Sequence, residues 1–417
     1  MQVGSDTFFG RWRVTLAAFA AQGLGPGLFA CYGLFVDPLA AFFEARHASL
    51  AMGMSMLLII QAVMGPVLGP LLDRHSIRRI MLGGAALATT ALFMSSRATD
   101  LPLLFVSYLF AVIGLTLYAP LPAIVLVTNH YEALRGRALS LAATGTSATG
   151  ILLPLAVAQL LGHFDWRVAL LSLAILVGGL SLSVFIVCIP RDSQARGSNL
   201  SGIETGRGPV APTWEFMASR AFWIIGLTFS VLLGMAAFYA FSLAPHLREV
   251  GLTVEEASIV MSFGAFVSLV SKLGFASIAD RIKNHLIAVT VGLLALQAVA
   301  WMLISTGETL ALFLFTAGLY SMTIGPFLVL GPYLNSLYFR EEIIGRVNGS
   351  QAPLVLPFAL SAPPLAGLSY DLTGSYVMSF QGAVAVVLTL AALFLFLGRA
   401  DPTRDSPPTE RTQRDVT

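Results

Sequence analysis

Long apolar runs separated by short charged or turn-rich breaks dominate the pattern of this chain. Cutting at the breaks predicts twelve spans, near 13–36, 50–72, 78–96, 101–128, 139–161, 167–189, 221–244, 256–278, 285–305, 309–334, 347–369 and 376–398. Each is close to the 20 or so apolar residues that a bilayer-crossing helix needs. The one long break, 190–220, carries Arg191, Arg196, Arg207, Pro209 and Pro212 among Gly and Ser, the composition of a linker. Its last residues, 213–220, predict a short helix at the membrane surface, because Trp214 and Arg220 favour that interface.

Composition turns this pattern into a class. The 417 residues are 56% apolar and 11% charged, with a mean hydropathy of +0.81, whereas about a quarter of a soluble domain is charged. The fold class expected is therefore an all-α polytopic membrane protein of twelve transmembrane helices. A net charge of +2 excludes nucleic acid as an expected partner and leaves the lipid bilayer. Cys31 and Cys188 fall inside apolar runs and read as small buried hydrophobes, so no disulfide is expected. The six histidines lie at span ends or in loops, where they form no buried relay or metal cluster. With no phosphate-binding glycine loop and no nucleophile–base constellation either, neither a cofactor nor an enzyme activity is expected. The first apolar run is too long for the core of a signal peptide and reads as a retained span.

Charge also orients the chain. Nineteen of the 24 Lys and Arg fall on the side of the termini and the linker, and Arg46, Arg97, Arg167 and Arg248 on the other. The positive-inside rule places both termini and the linker in the cytoplasm. The twenty-fourth, Lys272, lies inside the eighth span, where a charge costs roughly 2.5–3.5 kcal/mol on insertion scales. At helical spacing its face carries Met261, Gly264, Ala265, Ser268 and Ala276, a small polar stripe suited to a cavity or to helix packing. Phe263, Val267, Val270 and Ile278 form a bulky stripe suited to lipid. A functional role for Lys272 outweighs the alternative of a lysine that snorkels or locks two helices.

The landmarks repeat across the linker. Asp73-Arg74 recurs as Asp280-Arg281 and Tyr32 and Pro38 as Tyr239 and Pro245, all 207 residues on; Gly136-Arg137 recurs as Gly345-Arg346, 209 on. The expected domains are a six-helix bundle over 1–189, a cytoplasmic linker over 190–220, a second six-helix bundle over 221–398 and a disordered cytoplasmic tail over 399–417. Parallel duplication of this kind suits alternating access around a midplane site. Lys272 has no copy, since Gly65 stands 207 positions earlier.

In Gly69-Pro-Leu-Leu-Asp73-Arg74-His-Ser-Ile-Arg78-Arg79 an acidic residue at a helix end precedes a basic cluster. Such a pair is either a latch between helix ends or a solvated positive-inside loop. The loop resembles the signature loop of the major facilitator superfamily, Gly-x-Leu-x-Asp-Arg-x-Gly-Arg-Arg, with Ser76 in place of the usual glycine and Ile77 in place of the usual basic residue. The resemblance implies that Asp73, Arg74 and Arg78, and in the second copy Asp280 and Arg281, act as conformational gates.

Further stretches narrow the branch. Arg135-Gly-Arg137, Asp165-Trp166-Arg167, Gly345-Arg346-Val-Asn348-Gly349 and Tyr370-Asp371-Leu-Thr-Gly374-Ser-Tyr376 resemble the oxalate/formate antiporter and monocarboxylate transporter group. That resemblance implies an intramembrane cation on the eighth span, here Lys272, that pairs with a substrate carboxylate. Animal members carry an acidic residue one turn earlier and a lysine on the first span. Ser268 and Ala30 stand there, so their proton route does not carry over.

The remaining candidates are polar side chains at plausible depth: Gln22, Tyr32, Tyr118, Tyr239, Tyr320 and Gln351, each weighed against an ordinary helix–helix contact. Glycine and proline in Gln22-Gly-Leu-Gly-Pro26-Gly27, and Pro353, Pro357, Pro363 and Pro364 in the eleventh span, predict broken helices that line a site or pack closely. Asp37 is the remaining carboxylate for proton coupling, against a helix-end residue wetted from outside. The expected function is secondary active transport of a small organic anion, a monocarboxylate, across the cell inner membrane, by a monomer, with a coupled proton or counter-anion. Proton-driven export of drugs or metabolites, and a non-transporting sensor on the same fold, are the alternatives.

Overall fold

A computed structural model describes residues 8–131, 135–190, 214–278, 282, 285–340 and 343–397. Every regular element among them is helical. Several helices begin where a short polar side chain ends an apolar gap. Asp100, Asp165, Ser219 and Thr309 accept from the N–H groups of Leu103, Val168, Phe222 and Leu312 at 2.8, 3.0, 3.2 and 3.4 Å. A cap of this kind contributes about 1 kcal/mol by satisfying an orphan donor.

The first span is α1 (Phe8–Ala30) and α2 (Tyr32–Phe43), bent by 43°. The glycine-proline stretch was expected to break it, but the helix runs through Pro26 and turns at Cys31. Then follow α3 (His47–Arg74), α4 (Ile77–Ser96), and a fourth span in two pieces, α5 (Leu101–Thr116) and α6 (Leu121–His130), joined through a cis Ala119–Pro120 bond. After α7 (Arg135–His163) and α8 (Trp166–Cys188), a 3₁₀ turn (Trp214–Ala218) leads into α9 (Arg220–Glu249). The expected surface helix is this turn, and Phe216 seats it on Phe222, Phe339 and Val347.

The second half continues with α10 (Val254–Ile278), α11 (Leu286–Ser305) and α12 (Leu310–Tyr338). The eleventh span is α13 (Ile344–Gln351) and α14 (Val355–Thr373), interrupted only by a 3₁₀ turn (Ala352–Leu354) at Pro353; α14 runs unbroken through Pro357, Pro363 and Pro364. Gly374 ends it at φ +71°, and α15 (Val377–Leu395) is last. Among the described residues eleven helices are long and apolar enough to cross a membrane, twelve with the bent α1–α2 pair.

Packing follows the small residues. A Cβ on Gly23 would stand 2.8 Å from the Gly145 carbonyl oxygen, so α1 and α7 cross backbone to backbone, and the Thr149 hydroxyl donates to Gly23 O at 2.8 Å. Within the second half α10 packs on α12, α11 on α15 and α9 on α14. Between the halves, α3 meets α14, α7 meets α10 and α2 meets α9.

The two ends of this bundle differ in charge and in closure. One end carries Arg74, Arg78, Arg79, Arg220, Arg340 and Arg346; the other carries Asp37, Asp100, Asp165, Glu249, Glu308 and Asp371. At the acidic end a single hydrophobic core runs across both halves, joining Cys31, Leu34 and Phe35 to Phe241, Ala244 and Leu247. At the basic end the first half has its own cluster around Leu72, Ile80, Tyr118 and Phe185, and the second half a separate one around Phe222 and Phe339. Among the described residues, hydrophobic clusters therefore join the two halves at the acidic end and not at the basic end, where the large core continues only into the second half, to Leu286 and Leu334.

Candidate functional site

The exposed large apolar residues of α10 are Ile259, Phe263, Phe266, Val270, Leu273 and Ile278, a stripe suited to lipid that includes Phe263, Val270 and Ile278 as expected. Val267 departs from the expectation: it is half-buried beside Gly318 of α12. Met261, Ala265, Ser268 and Lys272 lie on another stripe and are all half-buried. That stripe faces the other half, because Ala265 Cβ stands 3.2 Å from where Gly150 of α7 would carry a side chain. Glu255 meets Gly162 one step nearer the acidic end, so the antiparallel register brings Lys272 level with Thr144 of α7.

Lys272 lies six residues, about 9 Å of helix rise, before Ile278. Among the described residues no acceptor stands within hydrogen-bond or ion-pair distance of its ammonium. Its backbone is held firmly: Gly325 of α12 packs against Ser268 O and Lys272 N, and the Ser271 hydroxyl donates to Ser268 O at 3.1 Å and to Ser321 O at 3.3 Å. Ser268 is one turn from Lys272 on the same stripe. The segment therefore presents a cation that meets no acceptor among the described residues, on the stripe that faces the other half, where an anion would offset its desolvation.

The tyrosines separate into different surroundings. Tyr239 of α9 and Tyr320 of α12 stack with ring centroids 4.0 Å apart, Trp301 lies edge-on to both at 5.7 and 5.0 Å, and both hydroxyls are buried without a partner. They form one aromatic group in the second half. Tyr118 is fully buried in the first half against Phe185, its hydroxyl also unpartnered. Tyr32 donates to Leu50 O at 2.6 Å and lies edge-on to Tyr108. Gln22 is buried on α1. Gln351 clamps three helices, donating to Phe222 O at 3.0 Å and accepting from Asn335 Nδ2 at 2.7 Å. Asn335 also reaches Asn348 Oδ1 at 2.7 Å, a network that spacing alone does not reveal. The structure therefore does not bring Gln351 and Tyr118 to the Lys272 face.

Of the gate candidates, Arg74 is exposed at the end of α3. Arg78 donates to Ile186 O and Ile189 O, both at 2.8 Å, and so closes the end of α8 within its own half. The side chain of Asp73, and Asp280 and Arg281 entirely, lie outside the described residues.

Asp37 sits at the acidic end inside α2, its side chain 40% exposed, on a cavity of about 200 Å³ shared with Gly33, Ala244 and Arg248. Sequence reasoning missed its neighbours. Asp371 of α14 accepts from the first two N–H groups of α3, His47 at 2.9 Å and Ala48 at 3.0 Å. The His47 imidazole lies between two carboxylates, 3.4 Å from Asp37 Oδ1 and 3.8 Å from Asp371 Oδ1. His246 is at a span end, as expected of a histidine here, yet is buried, reaching Ile304 O at 3.1 Å. Its partner Glu249 also accepts from the Tyr376 N–H at 3.1 Å. Burial pushes the Tyr376 phenol far above its usual range. The only sequence signal was the Tyr370-Asp371 motif, which carried no role.

The sequence profile of the Major Facilitator Superfamily matches residues 14–356. Monocarboxylate transporter 11 of Homo sapiens is 30% identical over 409 residues, covering 94% of this chain and 83% of its own, and that of Mus musculus is 29% identical over 410. Monocarboxylate transporter 13 of Rattus norvegicus is 25% identical over 393. Among solved structures, a bacterial homologue of the human lysosomal transporter Spinster, inward-facing and unoccupied, superposes with a TM-score of 0.76 at 15% identity, over 97% of this chain and all of that one. A D-xylose–proton symporter superposes with a TM-score of 0.74 at 13% identity, over 94% of this chain and 98% of that one. The chain therefore belongs to the Major Facilitator Superfamily, with the monocarboxylate transporters among its relatives, and is a multi-pass membrane transporter of small molecules.

Proposed function

We propose that this transporter moves a small organic anion, a monocarboxylate, across the cell inner membrane by alternating access, with Lys272 pairing with the carboxylate. The observation that carries this reading is the Lys272 ammonium, which meets no acceptor among the described residues, on the α10 stripe that faces the other half. A cation left without an acceptor inside a span costs several kcal/mol unless a ligand or water meets it, so its retention calls for an anionic cargo. The relatives named monocarboxylate transporters point the same way.

In this reading the bundles 1–189 and 221–398 rock about the 190–220 linker. The basic end with both termini faces the cytoplasm by the positive-inside rule, and the conformation is inward-open. Asp73, Arg74, Asp280 and Arg281 close that end when the acidic end opens. Tyr239 and Tyr320, and Ser268 on the Lys272 stripe, shape the cargo's path.

Purified protein in proteoliposomes tests the assignment with labelled lactate and pyruvate. Lys272→Ala should reduce uptake at least about a hundredfold while the protein still runs as a folded monomer, since the lost ion pair in a low-dielectric site is worth about 3 kcal/mol or more. Wild-type uptake by Lys272→Ala overturns the role of Lys272. Transport of a cationic dye, with none of any carboxylate, would instead establish an exporter.

A further inference from the structure

The acidic-end seal has a chemistry of its own. Its central group, His47, starts α3 in the first half, and the surrounding charges come from both halves. From the first half come Asp37 of α2, at 3.4 Å, and the flanking Glu44 and Arg46. From the second come Asp371 of α14, at 3.8 Å, and Tyr370, whose ring centroid is 4.2 Å from the imidazole. Tyr376 at the start of α15 packs edge-on at 6.1 Å, and the end of α9 supplies His246, Arg248 and Glu249. The His47 side chain is only 12% exposed, and that of Asp371 13%.

Asp371 is committed twice. Its two oxygens cap the N-terminus of α3 across the boundary between the halves, and one of them also faces the imidazole. When His47 is neutral, Asp37 and Asp371 face each other across it as like charges, with Glu249 nearby. When His47 is protonated it is a cation between two carboxylates. Asp37 belongs to the same half as His47 and stays with it in either conformation. Asp371 belongs to the other half and leaves when the acidic end opens.

We propose that His47 is a proton-binding site that couples closure of the acidic end to pH. Protonated His47 bridges Asp37 of its own half and Asp371 of the other only in the closed form, an attraction across the halves that the open form lacks. The sign follows from linkage: a group that binds a proton better in one state favours that state as pH falls. Imidazole changes charge between pH 5 and 8, so closure strengthens as the medium on the acidic side is acidified through that interval. A proton arriving from that side would thus help drive the transporter toward the inward-open form. The inference rests on the assignment as an alternating-access transporter and not on the identity of the cargo.

The test reads conformation without substrate, so that its failure is distinct from a failure of the carboxylate assignment. Spin labels at Thr99→Cys and Glu308→Cys, two exposed acidic-end positions in different halves, report the gap in a background of Cys31→Ala and Cys188→Ala. The ratio of short to long distances should rise at least about fivefold between pH 8 and pH 5.5 in the otherwise native protein. His47→Gln keeps the backbone N–H groups that Asp371 caps, and should flatten that dependence. Asp371→Asn should lower the closed fraction at pH 5.5 and shrink the slope. His47→Asn is the second non-titrating variant should the glutamine fail to fold. No slope in the native protein, or the same slope in either His47 variant, overturns the proposal.

Discussion

The two ends of the bundle use the same kinds of residue to opposite effect. At the acidic end Asp371 of one half meets His47, itself beside Asp37, of the other, and glycines bring backbones together. A Cβ on Gly33 would stand 2.7 Å from Ala240 O, and one on Gly367 2.5 Å from Ala48 N. Toward the basic end Lys272 meets no acceptor among the described residues, and a Cβ on Gly65, Gly69 or Gly274 would meet nothing within 4 Å. Paired charges between halves hold a conformation, while an unpaired one awaits a ligand. A charge in a bundle is thus read from its partners, not from its position in the sequence.

The contrast can be broken most severely at Lys272, whose replacement by Ala removes the cargo's partner but leaves the seal intact. Next is Gly367→Leu, which drives a side chain into the α3 backbone. Overpacking of about 1–3 kcal/mol should move the Thr99–Glu308 label distances to the open form about tenfold or more. Lys272 is one of only two lysines, so its amine labelling, read by mass spectrometry, should fall in the same variant if opening one end closes the other. Unchanged labelling would show that the ends move independently.

Asn335→Ala sharpens the comparison from within one half. It removes the donor to Asn348 and Gln351, so stability should drop by about 1–3 kcal/mol, seen as a lower melting temperature, with the label distances unmoved. Smallest is Arg78→Ala. Loss of its two bonds to the end of α8 should cost about 1 kcal/mol or less, because the guanidinium is partly solvated. A change in the label distances in Arg78→Ala would restore it as a gate residue across the halves.

Much of the architecture was legible without coordinates. Lipid demands about 20 apolar residues per crossing, so the twelve runs announce themselves, and caps such as Asp100 and Asp165 mark starts by local chemistry alone. The isolation of Lys272 was equally readable, since a single charge in an apolar run has no local explanation. The bend at Cys31 was not, because it falls past Pro26 at a residue that gives no local signal, whereas the fourth span breaks at Pro120 itself. Gln351 looked like a site residue by depth and proved to be a clamp, since its partners Phe222 and Asn335 lie 129 and 16 residues away.

By itself the sequence determined the membrane class, the helix count, the charge asymmetry and the internal duplication, all of which rest on solvent preference and local spacing. Only the tertiary structure decided which end is sealed, and that His47 of one half meets Asp371 of the other across 324 residues. Such a contact depends on the relative position of two rigid bundles. That position is set by packing and charge between surfaces far apart in the chain, and no periodicity within either surface encodes it.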